Sequence, residues 1–577
     1  LCLFVPDEVT FQAADEEGMY LWLEMPLWLP RLTPEVRALA LEEYAAVFRR
    51  LHHHPSIVVL SLGCELNAEA DREFLTALST LARAYFPNTL HCDNSGSAEA
   101  YGGVATATSD FYDYHFYTDP HFFRPLVAHF DRGYQPARPW LFGEFCDADT
   151  MRDFSRLQPE PWWLNEPVAL ERDDFLSMRD YRRRLAEAGV TDSGAKLTDI
   201  ARKQATAVRK FILEQARQHD ATGGYVISGW ADTPITTSGV VDDQGALKFE
   251  PADWLRFNAD AVLLLDRERR RAWERGGDRP SYRDPFSWWQ DERPELHILL
   301  SNGLGPAAGG LLKWIFTDQD GSRLSQGTAQ CLSLPGGEVV ELAAIFAVLP
   351  WEHLAAPAEC RLLVELELEL IGGSHARVRN EWSLWAVPRP RLQQVRAIEA
   401  SLAERFEPWP LFGPAPAHLP PTVPLAGAWL AENLSDEFLQ WVSDGGRGVW
   451  WVTGLGRLIT KGLPFWREAI HVFEPHRLWE HMPRPGWADM RFFSVAIDLA
   501  LDVAGLKAVL PLSRCRPVWR RFDARTLSWA DYLVEVQFGA GRLWVSTLRF
   551  AGGLGRQPAG FGANPWGAWL LACLLDT

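Results

Sequence analysis

The chain has 577 residues, 47% hydrophobic and 23% charged, a composition able to bury large cores. Its net charge of -18 argues against a nucleic-acid partner, which would need a basic patch, and no apolar run is long enough for a membrane span, so a soluble protein is expected. The eight cysteines form no CxxC pair, which argues against a zinc ribbon or a disulfide scaffold. From residue 1 to 266, strand-like runs alternate with amphipathic segments. The predicted strands are Leu1–Val5, Met19–Glu24, Ile57–Leu62, Thr89–Asp93, Asp110–Phe116, Trp140–Phe145 and Gly224–Trp230. Between them lie predicted helices at Pro34–Leu51, Asp71–Phe86 and Leu197–His219, with apolar residues recurring at three and four. Such alternation points to parallel βα units. A (β/α)8 barrel needs eight strands; seven are found, which implies that the first lies outside this sequence.

Residues 267–292, rich in Arg, Asp, Pro and Trp, read as a linker, and Arg267 to Arg271 read as the solvated end of a helix through Leu263–Leu265. From 293 to 388 the pattern turns to period two, as in Val364-Glu365-Leu366-Glu367-Leu368, which predicts an Ig-like antiparallel β-sandwich. A Pro-rich linker follows over 389–424. Residues 425–577 return to α/β, with a Rossmann-like character. There Ser435 is a suitable N-cap for a helix over Asp436–Val442, Gly445-Gly446 a suitable stop, and Gly448–Val452 a strand. Thr453-Gly454-Leu455-Gly456 is a fragment of a glycine-rich loop, more simply read as a turn.

Two of the apolar runs end in a glutamate. Ile57-Val58-Val59-Leu60-Ser61-Leu62-Gly63-Cys64 leads to Glu65, and Pro139-Trp140-Leu141-Phe142-Gly143 leads to Glu144. A carboxylate at such a strand exit does not serve the core, because an unpaired buried charge is too costly. At the catalytic face of a barrel, two carboxylates suggest the acid/base and nucleophile of glycoside hydrolysis. The 27 tryptophans suit a sugar binder, since aromatic faces stack on pyranose rings.

The run Ala14-Asp15-Glu16-Glu17-Gly18-Met19-Tyr20-Leu21-Trp22-Leu23-Glu24-Met25-Pro26 resembles the third-strand signature of glycoside hydrolase family 2. His54-Pro55-Ser56-Ile57 through Glu65 resembles its fourth-strand acid/base motif, and Arg138-Pro139-Trp140 through Glu144 its seventh-strand nucleophile motif. The resemblance covers residues 1–266 and implies a retaining exo-β-glycosidase, β-galactosidase-like, with Glu65 as acid/base and Glu144 as nucleophile. A β-mannosidase or β-glucuronidase of the same family, or a carbohydrate-binding protein that has lost turnover, are the alternatives. The resemblance further implies that Tyr117 hydrogen-bonds the nucleophile and that His115 either binds sugar or packs behind it. Asp93 and Asn94 either hold sugar hydroxyls or form an Asx-turn. Two positions depart from the family pattern. Cys64 stands where an asparagine usually binds the sugar 2-hydroxyl, a contact that Asn67 or Asn94 would have to replace, and Ser228-Gly229-Trp230-Ala231-Asp232 lacks the first aromatic of the eighth-strand motif, leaving Trp230 as the stacking platform.

No cofactor or metal is expected. Cys64, Cys92 and Cys146 fall near strand exits with His91 and His115, but their spacing matches no ligand motif. The implied partner is a glycoside or oligosaccharide, with self-assembly allowed and the compartment undetermined. The last domain resembles, by element order, the glutamine amidotransferase-like fold that follows the barrel in some members. Neither Cys515, between two arginines, nor Cys573 has a nucleophile elbow, so a non-catalytic role is expected.

Overall fold

The computed structural model describes all residues except 29, 67–70, 97–107, 134–138, 165–179, 191–193, 220–221, 268–271, 275–276, 280–282, 348, 350–353, 390–394, 399–401, 403–426, 454–459, 481, 483–485, 511–513 and 577. Asn67, the Gly454–Gly456 loop fragment and most of the Pro-rich linker lie outside the described residues. The chain divides into two compact units. Unit 1 comprises Leu1–Tyr117, Val127–Asp147 and His219–Ser228; unit 2 comprises Thr118–Leu126, Ala148–Gln218 and Gly229–Thr577.

Unit 1 opens with helix α1 (Glu8–Glu17), capped by the Asp7 side chain and stopped at Gly18 in the left-handed region. Strand β1 (Leu21–Glu24) then leads to α2 (Pro34–Leu51), whose N-cap is Thr33 and which carries Pro34 at its first position. Next come β2 (Ile57–Ser61), α3 (Arg72–Tyr85) and β3 (Leu90–Cys92). The strands β1, β2 and β3 form one parallel sheet in chain order. Phe11, Leu23, Phe48, Leu51, Leu60 and Leu78 are fully buried in the core that helices and sheet share. A second parallel sheet, again in chain order, contains β4 (Tyr112–Phe116), β5 (Trp140–Phe145) and β6 (Thr222–Ile227). The Asp110 N–H to His91 carbonyl bond (2.8 Å) ties the entrance of β4 to β3.

Six of the seven expected strands therefore form, all parallel. The exception is Leu1–Val5, which is a turn: Leu3 has φ +50° and Pro6 removes a donor just beyond it. Among the described residues the six strands form two three-stranded sheets, and no ladder closes them into an eight-stranded barrel.

In unit 2 the apolar run around Leu264 is a strand, Ala261–Asp266, and not the end of a helix. Short apolar runs are ambiguous between the two, and here pairing with a neighbouring strand decides. It pairs antiparallel with Glu295–Asn302, which pairs in turn with Glu338–Phe346. The facing five-stranded sheet includes Ala307–Asp318, Arg323–Leu334, Ala358–Leu370 and His375–Val387. Its fifth strand, Ser287–Trp289, comes from the stretch 267–292 read as a linker, and it buries Trp288 and Trp289. Both sheets contribute to one core around Leu263, Ile298, Leu312, Phe316, Leu362 and Leu366.

The remaining sheet of unit 2 is mixed. Val395–Ile398, Ala428–Ala431, Arg447–Trp451 and Gly541–Ser546 run parallel, while Ser528–Phe538 and the strands beyond it run antiparallel. The parallel half carries the expected βα unit, with Ser435 accepting from the Phe438 N–H to cap helix Asp436–Ser443. The antiparallel half distinguishes it from a doubly wound Rossmann sheet. Burial raises the Cys515 thiol pKa and pushes Cys573 up to about 12, the reverse of what an activated thiolate requires. Among the described residues no helix is long and apolar enough to cross a membrane.

Leu263 is fully buried in the two-sheet core. Leu263→Ala is expected to lower stability by about 2–5 kcal/mol, seen as an earlier urea transition of the sandwich fluorescence. A cost under about 0.5 kcal/mol would show that this run is not core strand.

Candidate active site

The strand β4 places Tyr114 and Phe116 on one face and Asp113 and His115 on the other, as period two requires. Tyr114 packs edge-on to Trp140, and Phe116 stacks on Phe142, so β4 and β5 are locked by their aromatic face. The opposite face carries the polar residues. Asp113 is fully buried and takes hydrogen bonds from Ser95 Oγ (2.5 Å), Gly96 N–H (3.1 Å) and Gly143 N–H (2.5 Å). Its Oδ2 also lies 3.5 Å from His115 Nε2.

Two glycines make this approach feasible. A Cβ at Gly143 would overlap the Asp113 carboxylate, and one at Gly96 would come within 2.6 Å of His115 Nδ1. Gly96 also sits at φ +74°, which side chains rarely adopt.

His115 is the hub. Its Nδ1 lies 2.9 Å from Glu65 Oε1 and 3.4 Å from Glu144 Oε2. The two carboxylates at the ends of different strands therefore converge on one nitrogen, and their near oxygens are no farther apart than the sum of those two distances. Burial alone would depress the His115 pKa. Hydrogen bonds to Asp113 and Glu65 and the charge of Glu144 outweigh it and push the imidazole up to about 10.

Glu65 is held by the turn after β2. Its N–H bonds to the Ser95 carbonyl (2.6 Å), and Cys64 N–H to the Leu27 carbonyl (2.9 Å). Glu65 adopts φ +50°, a left-handed conformation that costs a non-glycine residue roughly 1–2 kcal/mol. Its Oε2 accepts from Trp28 Nε1 at 2.9 Å. Glu144 Oε2 accepts from the Tyr117 hydroxyl at 2.5 Å, and Tyr117 in turn contacts Ser228 Oγ at 2.9 Å. Burial and the adjacent Glu144 raise the Tyr117 pKa, so it stays a phenol and donates. Glu144 Oε1 accepts from the Cys2 thiol at 3.2 Å.

The expected residues thus separate into groups. Glu65, Glu144, His115, Tyr117 and Cys64 meet: Cys64, His115 and Glu144, with Glu24, offer ligand-type atoms all within 4.8 Å of one another. The Cys64 thiol is buried, and that burial, with Glu24, Glu144 and Glu65 around it, raises its pKa well beyond the usual thiol range. Asp93 and Asn94 are buried and bind their own chain. Asp93 accepts from Ser109 Oγ and from Thr108 Oγ1 (2.7 Å), while Asn94 brackets Leu66, accepting its N–H (2.9 Å) and donating to its carbonyl (3.2 Å). Asn94 therefore shapes the turn that carries Glu65. Trp230 belongs to unit 2, where it is 72% exposed. Cys92, whose thiol contacts the Asn94 carbonyl (3.3 Å), and His91, bonded to the Phe86 carbonyl (2.9 Å), are not in the ligand-type group.

Three participants were missed from sequence. Glu24 closes β1 just as Glu65 and Glu144 close their runs, so the same signal was available; burial raises its pKa and Leu3 N–H bonds to it (3.0 Å). Asp113 is two residues before His115 and shares its face, which the Asp-x-His spacing on a strand could have shown. Trp28 carries no such signal.

Among solved structures, the chain is similar to a β-D-mannosidase from Dictyoglomus thermophilum, at 12% identity and TM-score 0.40, over 66% of this chain and 52% of that one. It is similar to an exo-chitosanase of Amycolatopsis orientalis at 14% identity and TM-score 0.40, over 67% and 44%. Against a β-glucuronidase from Bacteroides uniformis the values are 12% and 0.31, over 70% and 42%. The chain spans about half the length of these proteins. No protein family and no curated protein matches it.

His115 has a folded pKa of about 10 against about 6.5 unfolded. Its stabilising contribution is therefore complete below pH about 6.5 and lost as pH rises through 10. The wild-type unfolding midpoint is expected to fall across that window, and His115→Asn to lack this component while losing about 3–5 kcal/mol overall, because Asp113 is left buried without its cation. An identical pH profile in the variant would contradict the ion pairing.

Proposed function

We propose that this protein is a retaining exo-β-glycosidase that releases terminal β-linked sugars, β-galactosidase-like in its chemistry. The observation that carries the reading is the convergence of Glu65 Oε1 and Glu144 Oε2 on His115 Nδ1, at 2.9 and 3.4 Å. Retaining pairs stand about 5–5.5 Å apart and inverting pairs about 6.5–9.5 Å, and two carboxyl groups that share one nitrogen contact are compatible with the retaining spacing.

In this mechanism the Glu144 carboxylate attacks the anomeric carbon. The bond to the leaving oxygen breaks, its electron pair stays with that oxygen, and Glu65 supplies the proton. Glu65 then takes a proton from water, whose oxygen displaces Glu144 from the sugar. The Tyr117 hydroxyl donates to Glu144 Oε2 and fixes which oxygen is free to attack. The Cys2 thiol on Glu144 Oε1 is the contact an entering sugar would displace. Galactoside, mannoside and glucuronide remain separate substrates to be tested, since none of these residues selects among them.

One observation favours a second reading, a sugar binder without turnover. Cys64 is buried at the site in place of a strong hydrogen-bond donor, and both Glu144 oxygens are engaged by the protein.

A panel of nitrophenyl β-glycosides assayed with the full-length protein tests both. Turnover of at least one is expected, with Glu144→Gln lowering kcat at least about 10³-fold and Glu65→Gln about 10²–10⁴-fold, less for the best leaving groups. A 2-fluoro glycoside is expected to leave one sugar on Glu144 by mass spectrometry. Sugar binding with no turnover supports the binder, and turnover that survives Glu144→Gln overturns the assignment of the nucleophile.

A further inference from the structure

A second group of ligand-type side chains gathers at the opposite end of β2 from Glu65. Glu8 opens α1, and His53 and His54 lie in the turn that leads from α2 into β2. Glu8 Oε1 is 2.9 Å from His54 Nε2 and 3.5 Å from His53 Nε2, and the three donor atoms lie within 4.8 Å of one another. Two ligands of a tetrahedral zinc ion, each about 2.0–2.2 Å from it, stand about 3.3–3.5 Å apart, so the two spacings to Glu8 need adjustments of a few tenths of an ångström.

Three further features fit a metal site better than a solvated charge cluster. First, His54 is held by a carboxylate behind it: its Nδ1 bonds Asp15 Oδ2 at 2.6 Å, and Asp15 Oδ1 is fixed by the Ser56 N–H at 2.9 Å. This carboxylate–histidine pairing orients the imidazole so that Nε2 faces Glu8, the arrangement that supports metal-bound histidines. Second, Glu8 Oε2 is shielded from solvent and has no hydrogen-bond partner; its nearest cation, Arg50 Nε, is 3.8 Å away. Third, the ring of His54 is stacked on Phe11 (5.3 Å, 30°) and its side chain is only 2% exposed, whereas that of His53 is 59% exposed. The site is rigid on the protein side and open on the other, where water would complete the coordination.

We propose that Glu8, His53 and His54 bind one divalent transition-metal ion of the zinc class, with Asp15 as the outer carboxylate. Two imidazoles with one carboxylate select Zn²⁺, Co²⁺, Ni²⁺ or Cu²⁺ over Mg²⁺ or Ca²⁺. The ion would join the first turn of α1 to the turn that launches β2, and so reinforce the hydrogen bonds and the Phe11–His54 stack that already link these two parts of unit 1. This proposal is independent of the glycosidase reading.

The test uses untagged, metal-stripped full-length protein. Zn²⁺ is expected to raise the unfolding midpoint, and Mg²⁺ at the same concentration to leave it unchanged. The exposed His53 can be removed without disturbing the core, and His53→Ala is expected to weaken Zn²⁺ binding at least about tenfold. Asp15→Asn is expected to weaken it about 10–100-fold. His52→Ala, whose ring contacts the Arg49 carbonyl instead, is expected to bind normally. Co²⁺ distinguishes this site from the Cys64 group: visible ligand-field bands without a near-ultraviolet thiolate band place the ion on Glu8, His53 and His54. A thiolate band, undiminished binding by His53→Ala, or no binding of Zn²⁺ would each overturn the proposal.

Discussion

One buried imidazole is the meeting point of three carboxyl groups. Asp113, Glu65 and Glu144 all approach His115, and Asp113 and His115 are shut away from solvent. Bringing three such groups together without a cation would cost several kcal/mol per buried charge. With His115 protonated, the same arrangement becomes a reason for strands β2, β4 and β5 to end at a common point. The acidic pair that marks the site chemically is also the pair whose mutual repulsion the fold has to manage.

The backbone is shaped to permit this. Gly96 and Gly143 leave room where a methyl group would collide with His115 or Asp113, and Glu65 accepts a left-handed conformation to turn its carboxylate toward the ring. Local strain of this kind persists where surrounding bonds over-determine it. Here the bonds come from Ser95 to the Glu65 N–H and from Asn94 to Leu66. The indole of Trp28 then fixes the second oxygen of Glu65, while on Glu144 the phenol of Tyr117 holds the oxygen that faces His115 and the Cys2 thiol holds the other.

Much of unit 1 was legible because its signals are local. Helix α2 follows from Thr33, Pro34 and the spacing of Ala40, Tyr44, Phe48 and Leu51, and strand β5 from an apolar run bounded by Pro139. The glutamates at strand ends were legible as well, since charge at the end of an apolar run has few structural uses. What escaped notice depends on long-range partners. The run around Leu264 is a strand because Glu295–Asn302 lies beside it, and Ser287–Trp289 is a strand because His375–Val387 accepts it. Asn94 and Asp93 look like ligand residues in sequence, yet they are occupied by Leu66 and Ser109, neighbours that sequence proximity does not reveal. Trp28 reaches Glu65 from a loop without any periodic pattern.

The protonation state of His115 is the most direct measure of this account. In protein labelled with ¹⁵N-histidine, both ring nitrogens of His115 should carry protons at pH 8, with the imidazolium signal lost only near pH 10. A neutral, single-tautomer His115 at pH 8 would mean that Glu65 and Glu144 are not held around a shared cation, and the site as described would not stand.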